Sequence, residues 1–167
     1  MTKVVKHECP CCNTKLSARW ELLSKGLAET LAQFREAVIS KGENKIHLQS
    51  DLRLSKNQYN NFQKLRYHGL VAKTDISGVW LLTRRGNRFL RGEIEIPKGV
   101  LVSRNKIQAM RRDKIKLLDL CSSEPYWFKK EDFTYELLDT TDYDLSANAH
   151  IIWDEKTGQG TWDFNNL

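Results

Sequence analysis

Hydrophobic positions along the chain change period several times, and each change predicts a new element. Leu16, Ala18, Trp20 and Leu22 alternate with other residues, the period of a strand. Ser24 follows as a helix N-cap. Leu27, Leu31, Phe34 and Val38 then recur at helical spacing until Lys41-Gly42, where glycine suits a helix end. The stretch "NKIHLQSDL" (44–52) carries Ile46, Leu48 and Leu52 and reads as a short strand and a short helix. "RLS" turns, Ser55 is the next N-cap, and a helix is predicted over 56–67, stopped by Gly69. "LVAKTD" and "VWLLT" read as two strands around the turn "ISG", and "TRRGNRFLRGE" as helical. "IEIPKGVLVSRNKI" looks extended. For 112–122, periodicity does not choose between helix and strand. One short helix is expected within 123–140, and irregular chain from about Thr140 onward.

The helix at 56–67 concentrates side-chain amides, which are middling to poor helix formers. Tyr59, Phe62, Leu65 and Arg66 fall on one side at spacings of three and four and should face a core. Asn57, Asn60, Asn61 and Lys64 fall on the other side, Lys56 begins the helix, and Gln58 adds another amide. Asn and Gln present a donor beside an acceptor, which matches the major-groove edge of adenine, and Lys suits guanine or phosphate. A purely solvated face would be served better by Glu and Lys. The amides therefore favour base contact over a plain polar surface.

Composition divides the chain by charge. Residues 1–130 hold 26 Lys and Arg against 12 Asp and Glu, a surplus of +14, whereas 131–167 hold one Lys against nine acids, a deficit of −8. A basic body suits a polyanion, and double-stranded DNA is the expected partner. Lys73 at the base of the hairpin and Arg84, Arg85, Arg88 and Arg91 after it are candidates for phosphate contact, which positions a protein without specifying sequence. The acidic end also carries Phe133, Tyr135, Tyr143, Trp153, Trp162 and Phe164. It is expected either to pack on the body or to cover its basic face. No stretch approaches the roughly 20 apolar residues of a membrane span, and "MTKVVKHECP" has no apolar signal region, so the expected setting is the cytoplasm.

Cys9 and Cys12 have the C-x-x-C spacing of a zinc knuckle, with Cys11 between them and His7 nearby. A structural site needs four ligands, and the chain has no second C-x-x-C. Further ligands would come from His7, Cys11, His47, His68, Cys121 or His150. Three readings stand open: a zinc site completed by the fold, a ribbon that has lost its metal, and a redox pair. There is no P-loop, G-x-G-x-x-G, G-x-S-x-G or H-E-x-x-H, and no catalytic constellation is predicted. Asp139, Asp142 and Asp144 lack the glycine of an EF-hand loop. His68, just before Gly69, is expected to cap a helix end.

The order of helix, short helix, turn, helix and hairpin, with "NFQKLRYHGLV", "GVWLLT", "RGNRFLRGE" and the N-terminal "CPCC", resembles winged-helix proteins of phages and prophages that join a cysteine knuckle to a DNA-binding domain. The resemblance covers about 7–105. It implies a cysteine knuckle (1–23) and a winged helix–turn–helix core (24–105); with the acidic, aromatic C-terminal extension that composition marks beyond them (106–167), the expected fold is α+β. It also implies DNA binding, and for a phage protein the bacterial cytoplasm. The expected role is transcription regulation, with a homodimer formed through helix 24–41 or the C-terminal part. The alternative is an adaptor or inhibitor that binds a host defence or transcription protein, like an anti-CRISPR. RNA binding is a third reading that charge alone leaves open.

Overall fold

The alternation at 16–22 forms a strand, but one built into a larger sheet than the local pattern suggests. In the computed structural model, which describes residues 4–8, 15–103, 106–121, 123–125, 128, 151–154 and 159–162, β1 (Val4–Glu8) pairs antiparallel with β2 (Lys15–Leu22). The other edge of β2 pairs with a strand far along the chain, Gly99–Ser103, with Arg19 opposite Val102 and Leu22 opposite Gly99. In chain order that strand is β7. β8 (Lys106–Arg111) returns beside it, β10 (Ile151–Asp154) lies parallel to β8, and β11 (Gln159–Trp162) closes the order β1-β2-β7-β8-β10-β11. Every residue of β7 is buried. Ala18, Trp20, Leu101 and Ala109 form a buried cluster on this sheet. Leu22, predicted to share the face of Trp20, is 41% exposed, whereas Glu21 is buried and accepts from Arg19 at 2.8 Å.

These strands make one compact unit from three pieces of chain, 1–23, 97–114 and 145–167. Residues 97–105, expected with the helical core, therefore cluster with the terminal strands. The expectation of irregular chain after Thr140 is corrected at 151–154 and 159–162, which are strands paired in register. A local pattern cannot show a strand whose partner lies many residues away.

The second unit comprises 24–96 and 115–144. Ser24 caps α1 (Lys25–Lys41), its hydroxyl accepting from the Leu27 N–H at 3.3 Å. Gly42 ends the helix at φ 70°, donating to the Val38 and Ile39 carbonyls. Leu27, Leu31, Phe34 and Val38 are buried. The exposed positions of α1 are Lys25, Gly26, Glu29, Gln33, Ser40 and Lys41, so the helix keeps no apolar face for the dimer expected through it.

After α1 come β3 (Ile46–His47), one hydrogen-bonded turn at 48–51 in place of the predicted short helix, α2 (Lys56–Asn61), α3 (Lys64–Tyr67), β4 (Val71–Lys73), β5 (Val79–Leu82) and α4 (Arg84–Leu90). The three strands form an antiparallel sheet in the order β3-β5-β4. Phe62 packs between Phe34 (centroids 5.4 Å) and Trp80 (5.2 Å, edge-on), and Leu65, Leu70, Leu82, Phe89 and Leu90 complete the centre. Asn44 is buried beyond the end of β3. It donates to the Leu82 carbonyl at 2.9 Å and accepts from the Leu82 N–H at 2.8 Å, supplying the pairing that another strand residue would. The undecided stretch becomes β9 (Lys114–Ile115), paired with β6 (Ile96–Pro97), followed by α5 (Leu117–Leu120). The chain is thus mixed α+β.

Candidate nucleic-acid interface

The helix predicted as continuous over 56–67 is broken. α2 ends at Asn61, and the chain then tightens into three-residue turns, Phe62 N–H to Tyr59 O at 3.3 Å, Leu65 N–H to Phe62 O at 3.0 Å and Arg66 N–H to Gln63 O at 3.1 Å. Phe62 and Leu65 are buried as expected, but Tyr59 is 43% exposed, and α2 buries no residue at all. The spacing that assigned Tyr59 to the core presumed one unbroken helical phase.

A reciprocal cap starts α2. The Ser55 hydroxyl accepts from the Gln58 N–H at 3.1 Å, and Gln58 Oε1 accepts from the Ser55 N–H at 3.0 Å. Gln58 is thereby committed to the helix end. Asn61 donates through Nδ2 to both the carbonyl and Oδ1 of Asn57, each at 2.8 Å. That leaves Lys56, the Asn57 amide NH2 and Asn60 exposed and without partners among the described residues. Lys56 and Asn60, four apart, share one side of α2. Lys64 is half-buried and engaged within the protein.

The hairpin is compact. The Thr74 hydroxyl lies 3.1 Å from the Ile76 carbonyl and 2.9 Å from that of Val79, and Gly78 turns at φ 80°. A Cβ at Gly78 would also come within 3.3 Å of the His47 ring. The tip exposes Asp75, Ile76 and Ser77, while Lys73 holds its ammonium 5.5 Å from the Trp80 ring centroid.

The arginines of α4 are tied into the unit. Arg85 Nε donates to the His68 carbonyl at 3.1 Å, Arg88 and Arg91 pair with Glu93 at 3.4 and 2.8 Å, and the exposed Arg84 is also engaged. Thr83 caps α4 by accepting from the Gly86 N–H at 3.0 Å, and it donates to the Gly69 carbonyl at 2.8 Å. His68 does not act as a charged cap. It is 4% exposed, neither ring nitrogen has a hydrogen-bond partner among the described residues, and burial, with the nearby Arg85 charge, lowers its pKa to about 3.

One feature was not legible in the sequence. Leu48, Leu52 and Leu54, with Gln49, Arg53, Lys56 and Tyr59, line an open groove of about 450 Å3 beside α2. The available signal was Leu52 and Leu54 on either side of Arg53, just before the Ser55 cap.

Cys9, Cys11 and Cys12 lie outside the described residues, as does His150, and the β1–β2 ladder pairs Glu8 with Lys15 around them. Among the described residues no group of three or more His, Cys, Asp or Glu side chains is placed to hold a metal. His47 Nδ1 is occupied by the Gln49 and Ser50 N–H groups at 3.3 and 3.4 Å. Among the described residues no helix is long and apolar enough to cross a membrane. Compared with protein-family models, with curated proteins and with solved structures, the chain matches none.

Proposed function

We propose that the chain is a winged-helix DNA-binding protein, a transcription regulator of phage or prophage type, whose α2 enters the major groove. The order α1, β3, turn, α2–α3, β4, β5 with the sheet order β3-β5-β4 supports this reading. In it the 48–51 turn takes the place of the second helix, α2–α3 that of the recognition helix, and the β4–β5 hairpin that of the wing. A recognition helix contacts bases with its N-terminal residues. The observation that carries the reading is the state of α2. None of its residues is buried, and Lys56 and Asn57 at its start and Asn60 one turn on hold groups without partners among the described residues.

The test is fluorescence anisotropy of the full chain against random and selected duplexes over a salt series. The reading expects affinity to fall steeply with salt and one sequence to be preferred. Replacing Asn57 and Asn60 with Ala should remove the preference. Equal affinity for all duplexes, unchanged by those substitutions, would sink it.

A second reading, binding to a host protein, is favoured by Ile76. It is 59% exposed at the tip of a hairpin whose exposed residues there include no cation. That tip suits an apolar partner surface better than phosphate.

A further inference from the structure

We propose that the groove beside α2 takes a single unstacked nucleotide, with its base against the Tyr59 ring and its phosphate on Arg53 and Lys56. This rests on the DNA-binding reading and extends it from duplex to junctions and overhangs. Four observations converge. The groove, at about 450 Å3, lies in the ordinary range of small-ligand sites, about 300–1,000 Å3. Tyr59 stays 43% exposed, and its hydroxyl accepts from Gln49 Nε2 at 3.3 Å. Arg53 and Lys56 are exposed and have no partner among the described residues. No carboxylate lines the groove, and Asp51, close by in sequence, is occupied by the His47 N–H at 2.8 Å and Lys41 Nζ at 3.0 Å.

Leucines and an aromatic ring suit the face of a base, and two cations without an acid suit its phosphate. A paired base offers only its edge, so the occupant must be unstacked. An acidic peptide carrying an apolar side chain has related chemistry. The nucleotide is favoured because Lys56 belongs both to the groove and to the start of α2, which places the groove on the path of the bound duplex.

The experiment compares one blunt duplex with the same duplex bearing a short single-stranded overhang that carries 2-aminopurine, using the full chain. The overhang should tighten binding about tenfold and quench 2-aminopurine, since stacking on an aromatic ring stabilises by roughly 1–3 kcal/mol per base. Tyr59→Leu should abolish gain and quench while leaving blunt-duplex affinity intact, Tyr59→Phe should keep both, and Arg53→Gln should reduce the gain. Thermal melting checks that each variant folds. Blunt duplex bound without an overhang gain overturns the groove assignment and leaves the DNA reading standing. No binding to either DNA overturns both. A gain that survives Tyr59→Leu places the nucleotide elsewhere. Saturable binding of an acidic, phenylalanine-containing peptide that Tyr59→Leu abolishes, with no overhang gain, assigns the groove to a protein instead.

Discussion

Gln58 and Asn60 stand two residues apart in one amide-rich run, yet their side chains have different work. Gln58 closes the cap with Ser55, so Gln58→Ala should cost stability, about 1 kcal/mol as for a lost helix cap, and affect DNA only through the helix end. Asn60 is exposed with no hydrogen-bond partner among the described residues, so Asn60→Ala should leave unfolding unchanged and, on the proposed DNA reading, cost about 1–3 kcal/mol on the preferred duplex. Urea melts and anisotropy on the two variants separate these outcomes. His68 supplies a pH-dependence. Its folded pKa, about 3, lies below the ordinary 6.5, so between those values the unfolded chain takes up a proton that the folded chain refuses. Its contribution is complete above pH 6.5 and is lost as pH falls toward 3, about 2 kcal/mol by pH 5. Urea unfolding from pH 7 to 4.5 should show that slope, and His68→Leu should flatten it.

At the scale of elements, α2 buries none of its residues, and the helical phase breaks only after Asn61. The start of α4 is fixed from three sides. Thr83 and Arg85 bond the carbonyls of Gly69 and His68, and a Cβ at Gly86 would overlap the Leu70 carbonyl. Gly86→Ala should therefore destabilise the unit by about 1–3 kcal/mol, the usual cost of overpacking, seen as a lower urea midpoint with an unchanged slope. Those bonds also recast the arginine run. Read along the sequence they are candidates for phosphate contact; in the fold Arg85 also donates to the His68 carbonyl and Arg88 pairs with Glu93. Such short-range anchors depend on which loop the helix lands on, and a charge count cannot show that.

Across the whole molecule, the feature furthest from the local pattern is the sheet gathered from three stretches of chain. β10 pairs with β8 at Met110 and Arg111, so deleting 131–167 would bare that end of the β8 edge. An uncovered strand edge invites pairing between chains. The truncated protein should associate more than the full chain as concentration rises in size-exclusion chromatography. The deletion would also remove nine acids from a chain whose remainder carries a surplus of +14. Its effect on DNA affinity has to be separated from association by working at low concentration.

The sequence by itself determined what is local: the Ser24 and Ser55 caps, the glycine stop after α1, the strand at 16–22 and the burial of Leu31, Phe34 and Phe62. Each follows from residues within a few positions of one another, where propensity and spacing act directly. Tertiary structure decided the rest. It sent β2 to pair with β7, closed the β3–β5–β4 sheet with Asn44, broke the amide helix at Phe62 and left Tyr59 beside a groove with two unpaired cations. Those outcomes turn on contacts between distant segments and on which side of a helix the core claims. Backbone pairing and burial select among such contacts only once the chain is folded.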